Sequence, residues 1–448
     1  MTTQAYYNLP RLAGALCIAW SALAGCGDES GDTTAGAGGG AASSTSGAGG
    51  EGGDATTAST SGTGGSNEGG SNEGGSNEGG SNEGGSNEGG SNEGGSNEGG
   101  SGSGDATVRF IGRFDTTDPA GPRFGWPGSA IVTRFSGTGI RARFNDESPL
   151  NDGPNYFEVV IDGESQGALE VSGPDKVYTV AENLPDGEHD LLLHRRTEGL
   201  VGWSQFLEFI PEEGEQLLPV APAPDRRIEV IGDSISAGYG VDGPDETCPF
   251  TSATENNFLT YGPIAARQLG ADATIIAWSG RGAYRNYADE AVPTMPELYG
   301  RTLPDEAQPA WDFSSWVPQV VVINLGTNDF SVDKDGKGVN PGEPFREAYA
   351  GLVETVRTNY PDALIFCTVG PMLSDGYPEG TMALSTVRSY ITQVVEDRTE
   401  DGDDKVRYLE FPEHDGTNGR GCDWHPSAKT QQLMGQQLAE AISAELGW

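Results

Sequence analysis

From Arg227 to the C-terminus, near-continuous apolar runs alternate with amphipathic stretches. RIEVIG, ATIIAWSG, QVVVINLG, ALIFCTVG and KVRYLEF have the length and apolar content of buried strands. YGPIAARQLG, EPFREAYAGLVETVRTNY, TMALSTVRSYITQVVEDR and PSAKTQQLMGQQLAEAISAEL read as helices. Strands apolar on both faces, alternating with helices, predict an α/β domain with a parallel sheet flanked by helices. Residues 105–220 follow another rhythm. VRFIGRFD, AIVTRFSG, GIRARFND, NYFEVVID, KVYTV, HDLLLHRR and SQFLEFI are short β-rich segments, several alternating apolar with polar. Turn signals such as Asp162-Gly163 and Asp186-Gly187 separate them, so the pattern predicts an antiparallel β-sandwich of jelly-roll type. A Pro-rich stretch, LLPVAPAPD, leads into the second domain, residues 221–448.

Neither pattern extends into the first hundred residues. A short apolar run from Leu12 to Ala24 has the length of a secretory signal rather than of a membrane span. Its end, Leu23-Ala24-Gly25-Cys26, resembles a bacterial lipobox, which implies removal of residues 1–25 and acylation of Cys26. Residues 26–104 are almost entirely Gly, Ser, Ala, Thr, Asn and Glu, and SNEGG repeats seven times from Ser66 to Gly100. So few apolar side chains do not offset the entropy of ordering, and a flexible tether spanning about 50 Å is expected. An anchor at one end and folded domains at the other suggest a spacer that lifts the domains off a membrane, reached only through the lipid.

Charge narrows the range of partners. The chain carries −41 in total, of which residues 105–448 hold −30. Nucleic acid, anionic lipid and polyanionic substrates would be repelled by such a surface, whereas neutral substrates would not. Of the five cysteines, Cys17 lies in the signal, Cys26 at the lipid site and Cys367 in an apolar run that marks it as a core thiol. That leaves Cys248 and Cys422, both in loops of an exported chain, and their pairing is expected; two free loop thiols are the alternative.

Chemistry enters at VIGDSISAGYG, where a strand runs into Asp233-Ser234. A bland reading makes this a helix cap, and a sharper one makes Ser234 a nucleophile at the carboxyl edge of a parallel sheet. Ligands bind at that edge in such sheets. Gly280, in IAWSGRG, and Asn328, in INLGTND, stand at equivalent strand ends. A serine nucleophile needs a base and oxyanion donors. Of the four histidines, His189 and His194 fall in the β region and His414 in a loop. His425, in GCDWHPSAKT, lies on a loop two residues after Asp423 and is taken as the base. No Cys or His cluster has metal-ligand spacing and no phosphate loop occurs, so no cofactor and no metal are implied.

Gly232-Asp233-Ser234, Ser279-Gly280, Gly326-Thr327-Asn328-Asp329 and Asp423-Trp424-His425-Pro426 occur in the order of the SGNH (GDSL-type) hydrolases. With a β-sandwich in front and GYG after GDSISA, the chain resembles carbohydrate esterase family 2 over about residues 105–448. The resemblance implies removal of acetyl groups from plant polysaccharides. It makes Ser234 the nucleophile and His425 the general base, with the Ser234 and Gly280 N–H groups and the Asn328 amide as oxyanion donors. In the wider superfamily the acid stands three residues before the histidine, a position that Cys422 occupies here. Asp423, two before, is expected to orient His425, a backbone carbonyl being the alternative. Asp233 is expected to hold the nucleophile turn, Asp329 to brace its loop and Trp424 to wall the substrate pocket. Trp126 and Trp203 are expected to pack in the β region and Trp278 in the core.

The expected function is therefore that of a monomeric esterase removing O-acetyl groups from acetylated poly- or oligosaccharides such as xylan or glucomannan. A lipase, thioesterase or arylesterase on the same scaffold would need a greasy acyl channel, which the loops around the motifs do not suggest. A non-catalytic glycan-binding surface protein would be expected to have lost one of Ser, Gly, Asn or His.

Overall fold

The computed structural model describes residues 106–147 and 153–448; the expected signal, Cys26 and the tether lie outside them. The first domain is built from β1 (Val108–Ile111), β2 (Arg123–Phe124), β3 (Ala130–Gly137), β4 (Ile140–Glu147) and β5 (Asn155–Ile161). It continues with β6 (Glu164–Val171), β7 (Gly173–Ala181), β8 (Gly187–Arg195), β9 (Trp203–Pro211) and β10 (Leu217–Leu218). One antiparallel sheet runs β1-β3-β8-β5-β6 with β10 against β3, and the other runs β2-β9-β4-β7. Ile131, Phe157 and Leu193 of the first and Phe124, Phe144 and Phe206 of the second share one core. The expected sandwich is present, with three strands beyond the seven read from the sequence. β2 and β10 are two residues each, too short to show a period. β6, ESQGALEV, is a largely exposed edge strand in which only Leu169 and Val171 turn large apolar side chains to the core, too few to mark a strand in the sequence.

The second domain contains β11 (Arg227–Gly232), α1 (Ser234–Ala237), α2 (Tyr261–Leu269), β12 (Asp272–Ala277), α3 (Met295–Leu298) and β13 (Val320–Asn324). α4 (Glu343–Asn359), β14 (Leu364–Val369), α5 (Ala383–Glu400), β15 (Val406–Glu410) and α6 (Ala428–Leu446) complete it. The sheet, β12-β11-β13-β14-β15, is parallel throughout. Alternate β11 residues serve opposite faces: Ile231 packs with the α4 and α5 side chains, and Ile228 and Val230 with those of α2 and α6. This is why the strand sequences are apolar throughout. Cys367 is buried in β14, where desolvation pushes its thiol up to about 12, as suits an inert core residue. The register aligns Gly232 with Ala277 on one side and Asn324 on the other. Ser234, Gly280 and Asn328 therefore emerge from the same edge of the sheet.

The sandwich does not merely adjoin this domain. The Arg113 guanidinium, fully buried, donates to Glu229 Oε2 of β11 at 3.2 Å, to the Arg301 carbonyl at 3.0 Å and to the Tyr299 carbonyl. It also lies 5.1 Å from the Trp311 ring and 5.5 Å from the Phe313 ring. Trp126 joins the core on the α4–α5 side of the parallel sheet. Trp203 is half-buried beneath the Arg123 guanidinium, and Trp278 is buried in the same core as Trp126. All three tryptophans thus serve packing.

Candidate active site

β11 ends at Gly232 and the chain turns at once into α1. Asp233 is the cap, its Oδ1 accepting from the Ile235 N–H at 3.0 Å. The turn closes at Gly238, at φ +99°, where a Cβ would lie 2.6 Å from the Asn256 backbone. Only glycine meets both demands. Ser234 therefore occupies the first turn of a four-residue helix, and its hydroxyl meets His425 Nε2 at 2.9 Å. Both residues are buried to within a tenth of their surface. Asp233 caps the helix while Ser234 points its hydroxyl at His425, so the cap reading and the nucleophile reading of the GDS segment are compatible.

His425 precedes α6, whose N-cap is Ser427. Its other ring nitrogen, Nδ1, faces the Asp423 carbonyl at 3.0 Å and the Cys422 carbonyl at 3.3 Å. Two carbonyls accept only from an N–H, so Nδ1 carries the proton and Nε2 offers its lone pair to Ser234. The Asp423 carboxylate takes no part in this contact. It accepts from the Tyr239 hydroxyl at 2.8 Å and from the Phe250 N–H at 2.9 Å. The expectation that the Asp423 carboxylate completes a triad is thereby corrected to a dyad oriented by backbone. The cause is conformational: Asp423 and Trp424 have φ of +49° and +65°, and this left-handed turn aims the Asp423 carbonyl at the imidazole and its side chain away.

Such a turn in non-glycine residues persists only if its surroundings hold it. The Cys248–Cys422 disulfide ties its start to the loop after α1, and the Asp423 N–H donates to the Cys248 carbonyl at 3.0 Å. Tyr239 stacks between Phe250, at 4.4 Å, and the His425 ring, at 4.2 Å. Burial pushes the imidazole down to about 4, against the pull of the Asp423 and Cys422 carbonyls. An imidazole with a lowered pKa remains neutral, and so able to accept a proton, to a lower pH. We expect kcat/KM for an acetyl ester to stay level from pH 7 to about pH 5 and to fall below about pH 4. A limb near the ordinary histidine value of about 6.5 would contradict this.

Asn328, Asp329 and Gly280 gather around the same edge. The Asn328 amide donates to the Arg281 carbonyl at 2.9 Å and sits 3.3 Å from Asp233 Oδ2. Burial and the neighbouring Asp329 charge push the Asp233 carboxyl up to about 7. Asp329 accepts from the N–H groups of Ala283, Tyr284 and Arg285 at 2.7–3.0 Å and so braces the loop that begins at Ser279-Gly280. Gly280 lies at φ +78°, and its carbonyl accepts from the Tyr287 N–H at 2.8 Å. Trp424 is half-buried with the Arg420 guanidinium 4.9 Å from its ring.

The remaining histidines are engaged elsewhere: His189 with Asp162 and the Pro185 carbonyl, His194 with Asn257. His414 is half-buried, and its ring makes no contact with Ser234. Among the described residues no three His, Cys, Asp or Glu side chains converge as a metal site would require. Sequence reasoning quoted Tyr239 within the GYG after GDSISA but gave it no role, and it missed Phe250. It also missed Glu198, in a loop of the other domain, whose carboxylate accepts from the Ser279 N–H at 2.6 Å and from the Ser279 hydroxyl.

Comparison with known proteins accords with this architecture. Residues 110–222 match the family described as carbohydrate esterase 2 N-terminal, and residues 230–433 match the GDSL-like lipase/acylhydrolase family. Cellulase/esterase CelE of Acetivibrio thermocellus is 43% identical over 76% of this chain, which spans 40% of that relative's length. An acetylxylan esterase/glucomannan deacetylase of Cellvibrio japonicus is 26% identical over 77% of this chain and 90% of its own. A solved family two carbohydrate esterase from Clostridium thermocellum, in complex with cellohexaose, is 41% identical with a TM-score of 0.71. The alignment covers 76% of this chain and 99% of that one. With both domains matched in order and a 41%-identical solved family two esterase covered almost end to end, this chain belongs to carbohydrate esterase family 2.

Proposed function

We propose that the protein removes acetyl groups from the hydroxyls of a neutral plant polysaccharide, with Ser234 and His425 as a catalytic dyad. The observation that carries this reading is the 2.9 Å contact between Ser234 Oγ and His425 Nε2, with Nδ1 held by backbone carbonyls. Ser234 Oγ attacks the acetyl carbonyl carbon while its proton passes to Nε2. The carbonyl electrons move onto oxygen, where the Ser234 and Gly280 N–H groups and the Asn328 amide stabilise the negative charge. The intermediate collapses, the sugar oxygen leaves with the proton from His425, and an acetyl-enzyme remains. Water, deprotonated by His425, then attacks the acetyl-enzyme by the same route and releases acetate.

A carbohydrate substrate accords with the names of the relatives, two of which act on acetylated xylan and glucomannan. The net charge of −30 on residues 105–448 favours a neutral polymer over an acidic one or a nucleic acid. Trp424 is a candidate wall for the acetyl or sugar group. The test is acetate release by the purified protein from acetylated xylan and acetylated glucomannan, with a long-chain aryl ester beside them. Release from at least one polymer with little long-chain hydrolysis is expected; the opposite preference would make this a lipase-like enzyme. The protein acts as a monomer in this reading.

The same reading places the enzyme at a membrane, held by acyl chains on Cys26 through the Glu-bearing tether. Growth with labelled palmitate should mark the wild-type protein and not Cys26→Ser. Label retained in the variant would remove the anchor from the account.

A further inference from the structure

The loop joining β8 to β9 carries Glu198 out of the sandwich and against the start of the Ser279–Arg285 loop. Glu198 is fully buried, and its carboxylate accepts from both the N–H and the hydroxyl of Ser279. The next residue is Gly280, whose carbonyl is held from the far side by the Tyr287 N–H. The peptide between Ser279 and Gly280 is therefore clamped at both ends, once by its own domain and once by the sandwich. We propose that Glu198 is a positioning residue through which the β-sandwich sets the Gly280 N–H for the oxyanion; this rests on the oxyanion role given to Gly280 above.

A second buried carboxyl supports it. Glu255 is also fully buried, and its Oε2 accepts from the Glu198 N–H at 3.2 Å. Two adjacent carboxyls out of water do not both ionise. Burial raises both carboxyls, but the two donors from Ser279 pull Glu198 back down, so Glu198 is the more acidic member of the pair. Burial and the Glu198 charge push Glu255 well up, so it keeps its proton. The charges acting on the pair are Arg281 beyond β12 and Arg195 of β8, with Asp233 and Tyr239 on the α1 side also sensing it. A charged acceptor gives Ser279 shorter and stronger bonds than a neutral one, which suits a donor that must not move as charge develops.

The test compares wild type, Glu198→Gln and Glu198→Ala in the full protein, following hydrolysis of 4-nitrophenyl acetate, thermal unfolding and pH. Misplacing a reacting group by about an ångström costs roughly 100-fold. Glu198→Ala should therefore lose on the order of 100-fold in kcat with KM within about twofold. Glu198→Gln, the same shape with a neutral acceptor, should recover part of that, to a loss of roughly tenfold. Should the alanine variant not fold, the glutamine variant carries the comparison alone. In wild type, loss of the Glu255 proton at high pH sets two negative charges side by side and lowers kcat. Glu255→Gln, which cannot lose that proton, should move this alkaline limb to higher pH. A folded Glu198→Gln with wild-type kcat, or an alkaline limb indifferent to Glu255→Gln, overturns the proposal. A wild type that releases no nitrophenol would instead sink the esterase reading beneath it.

Discussion

Ser234→Ala and His425→Ala each lower acetate release by about 10⁴–10⁶-fold, whereas Asp423→Asn lowers it by no more than about tenfold. The first two losses follow from the 2.9 Å contact, since neither member of the dyad has a substitute within reach. The third value separates this site from a triad. In a serine triad, replacing the orienting aspartate by asparagine costs about 10⁴-fold, because the histidine adopts the wrong tautomer. Here the tautomer is set by the Asp423 and Cys422 carbonyls, which the substitution leaves in place. An asparagine oxygen still accepts from Phe250 N–H and the Tyr239 hydroxyl, so the left-handed turn is preserved. Steady-state rates on one acetyl ester suffice to check all three. A loss near 10⁴-fold in Asp423→Asn would mean that the carboxylate reaches His425 during turnover and that the dyad account is wrong.

Arg113→Ala lowers the thermal transition by roughly 5–10 °C. The Arg113 guanidinium is fully buried between the two domains, and its charge partner Glu229 is buried in β11. Removing one member of such a pair strands the other charge out of water, at a cost of about 3–5 kcal/mol. Tyr299 and Tyr360 still point hydroxyls at Glu229, at 2.7 and 3.4 Å, but neither supplies the missing positive charge. The Arg301 and Tyr299 carbonyls lose their donor as well. Calorimetry on wild type and variant reads the shift directly. A double change, Arg113→Met with Glu229→Gln, should recover part of the lost stability by removing the unpaired charge. If Arg113→Ala unfolds within a degree of wild type, the sandwich is not held by this contact.

These two sites differ in how far they were legible in the sequence. Ser234, Gly280 and Asn328 could be picked out because each lies within four residues of the end of an apolar strand. Parallel pairing then places strand ends together with no further information. His425 was found by elimination among four histidines and by the motif around it. The Cys248–Cys422 pair followed from the few cysteines left after the signal, the lipid site and the core thiol had been set aside. β6 was invisible because this edge strand turns only Leu169 and Val171 as large apolar side chains to the core.

Local pattern thus determined the two fold classes and the sheet edge where Ser234, Gly280 and Asn328 meet, and it singled out His425, because strand period and motif spacing act over a few residues. Tertiary structure alone decided that Asp423 orients His425 through its carbonyl. That outcome depends on a left-handed turn held by Tyr239 and Phe250, both more than 170 positions away in the chain. It alone joined the two domains, through an Arg113 whose partner carbonyl on Tyr299 lies 186 positions further on. It also set Glu198 against Ser279, 81 positions apart. Contacts at such separations leave no periodicity behind, because they arise only when two finished surfaces meet.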